Sequence, residues 1–263
     1  MTVHPGRTRR FPLRLDQMST ARAFGGDTEA AALSRATTPV GLGMDSDEFR
    51  LRMVRRLRTG GVSHQRILDA MATVRRHDFL DAALAAQAYE DTSLPIGHGQ
   101  TISKPSVVAR MIELLFDGAS ARRRADLGRV LEIGTGCGYQ AAVLALLSSH
   151  VVSVERVKPL HDRAREFLAA VRRDTVRLVY GDGMLGHAPN APYDSIIAAA
   201  GGDSVPAAWL EQLAPFGRLV VPSRQPGAAE QVLVVVDKNE QGVLQQSLYE
   251  AVNFVPLKSG VVG

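Results

Sequence analysis

The stretch from Arg129 to Glu155, RVLEIGTGCGYQAAVLALLSSHVVSVE, constrains the fold more than any other part of the chain. Val130–Ile133 is an apolar run of buried-strand length, and a turn carrying Gly134, Gly136 and Gly138 follows it. Gln140 to Leu147 is apolar and alanine-rich, as helices are, and Val151–Val154 is a second β-branched run that ends on Glu155. Strand, tight turn, helix and strand in this order make the first crossover of a doubly wound α/β sheet with mostly parallel strands. Glycine gives the turn access to positive φ, and its missing Cβ lets a ligand lie against the backbone. Free N–H groups at the start of the following helix favour negative charge.

The glycine spacing is not that of a dinucleotide site. GxGxxG would need a glycine at position 139, where Tyr139 stands. The pattern is E-x-G-x-G-x-G, with Glu132 just ahead of the first glycine. An acid there is poorly placed beside a pyrophosphate and well placed to accept from an ammonium or hydroxyl group. Glu155 ends the next strand, where an acid in a mononucleotide fold accepts from ribose hydroxyls. The ligand implied is a nucleoside with a cationic amino-acid tail and no phosphates. This resembles the S-adenosylmethionine site of Rossmann-like methyltransferases, with Glu132, Gly134, Thr135, Gly136, Gly138 and Glu155 as its expected cofactor residues.

At 263 residues the chain suits one domain with appendages. No stretch approaches the ~18 uncharged apolar residues of a membrane span, so no membrane partner is expected. Cys137 is the only cysteine, which rules out an intramolecular disulfide and a cysteine zinc site and fits a reducing, cytoplasmic setting. It reads as a small residue tolerated in a tight loop, and no metal is expected. The net charge of +4 comes from arginines spread over helix-like stretches, without a basic stripe interleaved with aromatics, so no nucleic-acid partner is expected. Residues 1–44 lack sustained apolar periodicity and read as a disordered extension. Residues 45–263 read as a single domain, helical over 45–125 on the substrate side and Rossmann-like over 126–263.

The remaining elements follow in order. Asp45 to Arg58 reads as a helix with acids at its start and basic residues at its end. Ser63 suits the cap of a second helix, and a third short helix follows Arg75–Leu80 and runs to about Ala88. Gly97 and Gly99 break regular structure, so a loop delivers Thr101, Ile102 and Ser103 to a helix starting at Pro105, with Ser103 as N-cap. Val176–Val179 is a third strand that leads into Gly181-Asp182-Gly183, where Asp182 can accept from an exocyclic amine and Gly183 adjoins it. Ser195–Ala199 is a fourth strand ending on small residues, Ala207–Leu213 a helix and Arg218–Val221 a fifth strand. Gln231–Asp237 and about Val243–Tyr249 read as an antiparallel pair.

PIGHGQTIS with its proline-started helix, then VLEIGTGCGYQAAVLA, resembles the protein-L-isoaspartate (D-aspartate) O-methyltransferase family. VRRHDFL, YGDG, the segment Tyr193 to Pro222 and NFVPLKSG are similar to further parts of that family, so the resemblance runs from about Asp47 to Gly260. It implies a seven-stranded sheet with the last two strands transposed relative to the usual methyltransferase order. It implies S-adenosyl-L-methionine as methyl donor and L-isoaspartyl or D-aspartyl residues of damaged proteins and peptides as acceptors, repaired through a succinimide. It places the active-site serine at Ser103 and makes Thr101, Ile102, Lys104, Val255, Pro256 and Leu257 candidates to grip an extended peptide. Lys104 stands where a neutral residue is expected. A carboxylate acceptor is ionised near neutrality and needs no general base, in keeping with the scattered histidines. A monomer is expected. The competing readings are a methyltransferase of another target such as tRNA, a basic nucleic-acid-binding module and a family member without repair activity. The first of these predicts NPPY or DPPY after the fourth strand, where the chain reads AAAGG.

Overall fold

A computed structural model describes residues 46–169 and 175–263, and the extension expected at 1–44 lies outside them. The first helix, α1 (Ser46–Thr59), has Asp47 and Glu48 in its first turn and Arg56 and Arg58 in its last, which complements the helix dipole. Its Met53 and Leu57 pack in one core with Ile67, Leu68 and Met71 of α2 (Gln65–Thr73). Ser63 does not cap α2. The capping position is His64, and the Ser63 backbone N–H and hydroxyl both donate to Glu113 Oε1, at 2.8 and 3.0 Å. Two 3-10 turns follow, Arg76–Phe79 and Ala82–Gln87, and the second occupies the place of the expected third short helix. The second turn buries none of its residues, so it has no apolar stripe to stabilise a longer helix.

The expected glycine loop is a hairpin of β1 (Leu94–Gly97) and β2 (Gln100–Ile102), with Leu94 opposite Ile102. Buried Leu94, Ile96 and Ile102 alternate with exposed neighbours, as strands require. The tip, Gly97-His98-Gly99, is left-handed throughout, at φ 89°, 52° and 67°. Helix α3 (Pro105–Phe116) begins one residue later than a cap by Ser103 would need. Its N-cap is Lys104, which makes no side-chain capping bond. Asp91 caps it instead, accepting from the Ser106 N–H at 2.9 Å and the Ser106 hydroxyl at 2.8 Å. A short α4 (Ala119–Arg124) leads to the sheet.

The sheet contains β3 (Arg129–Ile133), β4 (His150–Glu155), β5 (Val176–Tyr180), β6 (Tyr193–Ala198), β7 (Leu213–Arg224), β8 (Gln231–Lys238) and β9 (Leu244–Val252). Their spatial order is β5-β4-β3-β6-β7-β8-β9. The first five are parallel, while β8 and β9 add antiparallel pairs in chain order. Connections run through α5 (Tyr139–Ala145), α6 (Lys158–Leu168) and α7 (Ala207–Gln212). Leu213, expected to end α7, opens β7. That strand extends well beyond Arg218–Val221 because β8 pairs with it from Arg218 to Arg224. Alternation along the strands serves two cores. Val130, Val151, Ile197, Val220 and Val235 face the side of α2, α3 and α5, while Leu131, Val152, Ile196, Leu219 and Val234 face Trp209 of α7.

Candidate active site

The register levels the carboxyl ends of the central strands. Ile133 lies beside Val154 and Ala198, and Glu155 beside Tyr180. The chain leaves β3 to one side for β4 and returns on the other side as β6, and this reversal of strand order opens a crevice above the strand ends. The loops that follow β3, β4, β5 and β6 converge there.

The turn after β3 is built against the neighbouring strand. Gly136, at φ 56°, donates its N–H to Glu155 Oε2 at 2.9 Å, and a Cβ there would lie 3.2 Å from Ile96 of the hairpin. The left-handed conformation therefore favours glycine, and a side chain there would crowd Ile96. The other Glu155 oxygen accepts from the Val157 N–H at 2.9 Å. Each oxygen keeps a lone pair for a further donor. Thr135 is buried, its hydroxyl 2.6 Å from the Ser153 hydroxyl. Ser153 in turn donates to Glu132, whose other oxygen accepts from Gln140 Nε2 at 3.0 Å. Glu132 is fully buried, and burial pushes its carboxyl up to about 8 against the opposing pull of those two hydrogen bonds, with repulsion from Glu155 adding to the rise.

The loop after β5 is fixed from below. Trp209 Nε1 donates to the Gly183 carbonyl at 2.8 Å, and Gln212 Nε2 to the Leu185 carbonyl at 2.8 Å. A Cβ on Gly183 would lie 2.6 Å from Ile133 Cγ2, so only glycine fits over the end of β3. Asp182 accepts from the Met184 N–H at 2.9 Å and from the Gly260 N–H at 2.6 Å. The C-terminal segment reaches the same edge at two places. Val255 and Leu257 exchange backbone hydrogen bonds with Gly201 at 2.9 and 2.8 Å, and Val262 does so with Arg156 and Lys158 at 2.8 Å each.

These elements enclose a cavity of about 290 Å³, at the lower end of the ~300–1,000 Å³ usual for small-molecule sites. Gly134, Thr135, Gly136, Glu155 and Gly183 line it, as do Ile102 and Tyr139. Glu132, Gly138 and Asp182 do not. Glu132 is turned to Ser153 and Gln140, Gly138 starts α5 against Leu168, and Asp182 holds Met184 and Gly260. A larger open groove of about 1110 Å³ adjoins, lined by Lys104, Gly202, Asp203 and Arg224 among others. Thr101, Ser103, Ala199, Val255, Pro256 and Leu257 line both spaces and form the wall between them. Ile102 is a core residue and does not face the groove. Sequence reasoning missed Ser153, Gln140 and Asp91, whose roles rest on contacts distant along the chain. It also missed Arg76, which donates to the Ser103 carbonyl at 2.7 Å.

Among the described residues no group of three or more His, Cys, Asp or Glu is arranged to hold a metal ion, and no helix is long and apolar enough to cross a membrane. Cys137 is buried, and burial raises its thiol above the usual range.

A sequence model described as Protein-L-isoaspartate(D-aspartate) O-methyltransferase (PCMT) matches residues 49–262. The chain belongs to this family. The protein-L-isoaspartate O-methyltransferase of Methylibium petroleiphilum is 57% identical over 261 residues, 95% of this chain and 96% of that protein. That of Leptothrix cholodnii is 62% identical over 227 residues, 86% of this chain and 79% of that protein. A solved protein-L-isoaspartate O-methyltransferase superposes with a TM-score of 0.71 at 28% identity, covering 81% of this chain and 67% of that one. A Plasmodium falciparum structure assigned to the same type, in complex with S-adenosyl-L-homocysteine, shares the fold at a TM-score of 0.67 and 22% identity, over 80% of this chain and 98% of that one. The seven-stranded sheet with its antiparallel C-terminal pair is thus the fold of the protein-L-isoaspartate O-methyltransferase family, as the glycine turn and the PIGHGQTIS segment implied.

Proposed function

We propose that this chain methylates the free carboxylate of L-isoaspartyl and D-aspartyl residues in damaged proteins and peptides, using S-adenosyl-L-methionine, and so starts their repair through a succinimide. It is an S-adenosylmethionine-dependent protein carboxyl O-methyltransferase. The carrying observation is the wall of residues, including Ser103, shared by an enclosed cavity at the strand ends and an open groove. A small cofactor suits the first and an extended polypeptide the second.

The residues present fit that cofactor. Gly136 leaves room beside a carboxylate, Glu155, that retains lone pairs for ribose hydroxyls, and Thr135 and Gly183 complete the lining. When bound, S-adenosylmethionine supplies a methyl group already activated on a sulfonium. The chain's task is then alignment, which can itself contribute much of the rate. Ser103 orients the substrate carboxylate at the wall. Thr101, Val255, Pro256 and Leu257 hold the adjoining peptide, and Lys104 offers a cation in the groove to acidic substrates. Gly134 and Gly138 shape the turn. Glu132 supports it from behind through Ser153 and Gln140, and Asp182 closes the far side. The acceptor carboxylate is ionised at neutral pH, so no side chain needs to act as a base. We further read the protein as a monomer of the cytoplasm without nucleic-acid or membrane partners, its domain spanning 45–263.

Radiolabelled methyl transfer to paired isoaspartyl and aspartyl peptides tests the reaction. Base-labile label on the isoaspartyl peptide alone is expected; label on neither peptide, with label on tRNA, sinks the reading.

A further inference from the structure

Arg76 is fully buried, yet it faces no carboxylate within ion-pairing distance among the described residues. Its Nε donates to the Ala88 carbonyl at 2.8 Å and its Nη2 to the Ser103 carbonyl at 2.7 Å. Its guanidinium carbon lies 4.8 Å from the centroid of the Tyr139 ring, at the first residue of α5. Nη1 and the Tyr139 hydroxyl are both buried without a hydrogen-bond partner. Burying a charge with no carboxylate in ion-pairing range is costly, and Asp91 and Tyr139 offset only part of that cost. Desolvation accordingly pulls the guanidinium below its ordinary range. A leucine or methionine would fill such a core site more cheaply.

What the charge provides is a link between three separate pieces. The Ser103 carbonyl belongs to the residue between the end of β2 and the N-cap of α3, and Tyr139 stands directly after the glycine turn. A planar guanidinium has donors in fixed directions, so it can fix a carbonyl's orientation where an ammonium cannot. We propose that Arg76 is a positioning residue for methyl transfer, holding the Ser103 backbone at the wall between cavity and groove while it rests on the face of Tyr139. This inference rests on the proposed role of Ser103. It assigns Arg76 no contact with either substrate.

The test is a double-mutant cycle. Arg76→Lys keeps charge and loses the fork; Arg76→Met keeps the apolar stem. Each is checked for folding by circular dichroism and for S-adenosylhomocysteine binding by calorimetry. Each is then assayed on the isoaspartyl peptide with and without Ser103→Ala. Misplacing an aligned group is expected to lower kcat about tenfold or more, with both KM values changing less than about threefold. In the Ser103→Ala background the same substitutions are expected to cost less than about twofold, because residues acting as one unit are not additive. Additive losses, wild-type kinetics in Arg76→Lys, or an unaltered kcat in Ser103→Ala alone overturn the proposal. So does failure of both variants to fold, which would make Arg76 a core residue only. A wild-type chain that labels no isoaspartyl peptide overturns the functional reading, and this inference with it. An active wild type with additive variants overturns this inference alone.

Discussion

The Ser103 side chain makes no hydrogen bond to the helix that follows it, and Asp91 caps that helix. The hydroxyl therefore does little for stability. Ser103→Ala should lower turnover about tenfold or more, within the range seen when a single orienting donor is removed. Its melting temperature should stay within about 2 °C of wild type, since loss of a cap is the usual way such a change destabilises. Equal turnover in the purified variant counts against the role. Glu132 gives a pH signature of its own. Its carboxyl titrates near 4.5 in an ordinary setting and at about 8 when folded. Between those values the unfolded chain has released a proton that the native state retains, so stability falls as pH rises across that window. Glu132→Gln mimics the protonated acid and should flatten the fall. Parallel pH–melting curves for the two proteins would show that Glu132 is not its source.

At the scale of elements, the sheet was largely legible and its supports were not. Apolar runs of strand length, the glycine turn and Glu155 fixed β3, α5 and β4 close to their observed bounds, because a buried parallel strand has few sequence solutions. Glycines at the hairpin tip predict a loop locally and mask the alternation of Leu94, Ile96 and Ile102 that pairs the two strands. Both serine caps were misassigned for a similar reason. A serine before a helix is a local signal, while Glu113 and Asp91 compete for these turns from elsewhere in the fold. Asp91→Ala should accordingly cost about 1 kcal/mol in urea denaturation, the usual loss for a cap. An unchanged midpoint would remove Asp91 from that role. Trp209 tests the loop after β5. Trp209→Phe keeps most of the apolar burial of α7 but leaves the Gly183 carbonyl without its donor. S-adenosylhomocysteine should bind several-fold more weakly, on the order of the ~1 kcal/mol of one such bond, while folding persists. Unaltered affinity by calorimetry would show that the loop holds itself.

Across the whole domain, the C-terminal segment joins parts of the site that lie far apart in sequence. Gly260 and Val262 tie it to Asp182 and Arg156, and Val255 and Leu257 tie it to Gly201 beyond β6. Deleting residues 259–263 should weaken S-adenosylhomocysteine binding about tenfold, equivalent to ~1.4 kcal/mol, and leave the sheet's circular dichroism intact. Wild-type affinity in the shortened protein would mean that the segment merely lies alongside. The ties to Gly201, Arg156 and Lys158 join backbone groups that carry no sequence signature, and the one to Asp182 joins residues 78 positions apart.

The partition between the two spaces carries a thermodynamic obligation. Thr101, Ser103, Val255, Pro256 and Leu257 border both compartments, so an occupant of either one contacts side chains that the other also meets. Filling either space is then a conditional event. If peptide tightens the hold on cofactor by some factor, cofactor must tighten the hold on peptide by the same factor. On the proposed reading, loss of either occupant would then weaken the hold on the other by that same factor.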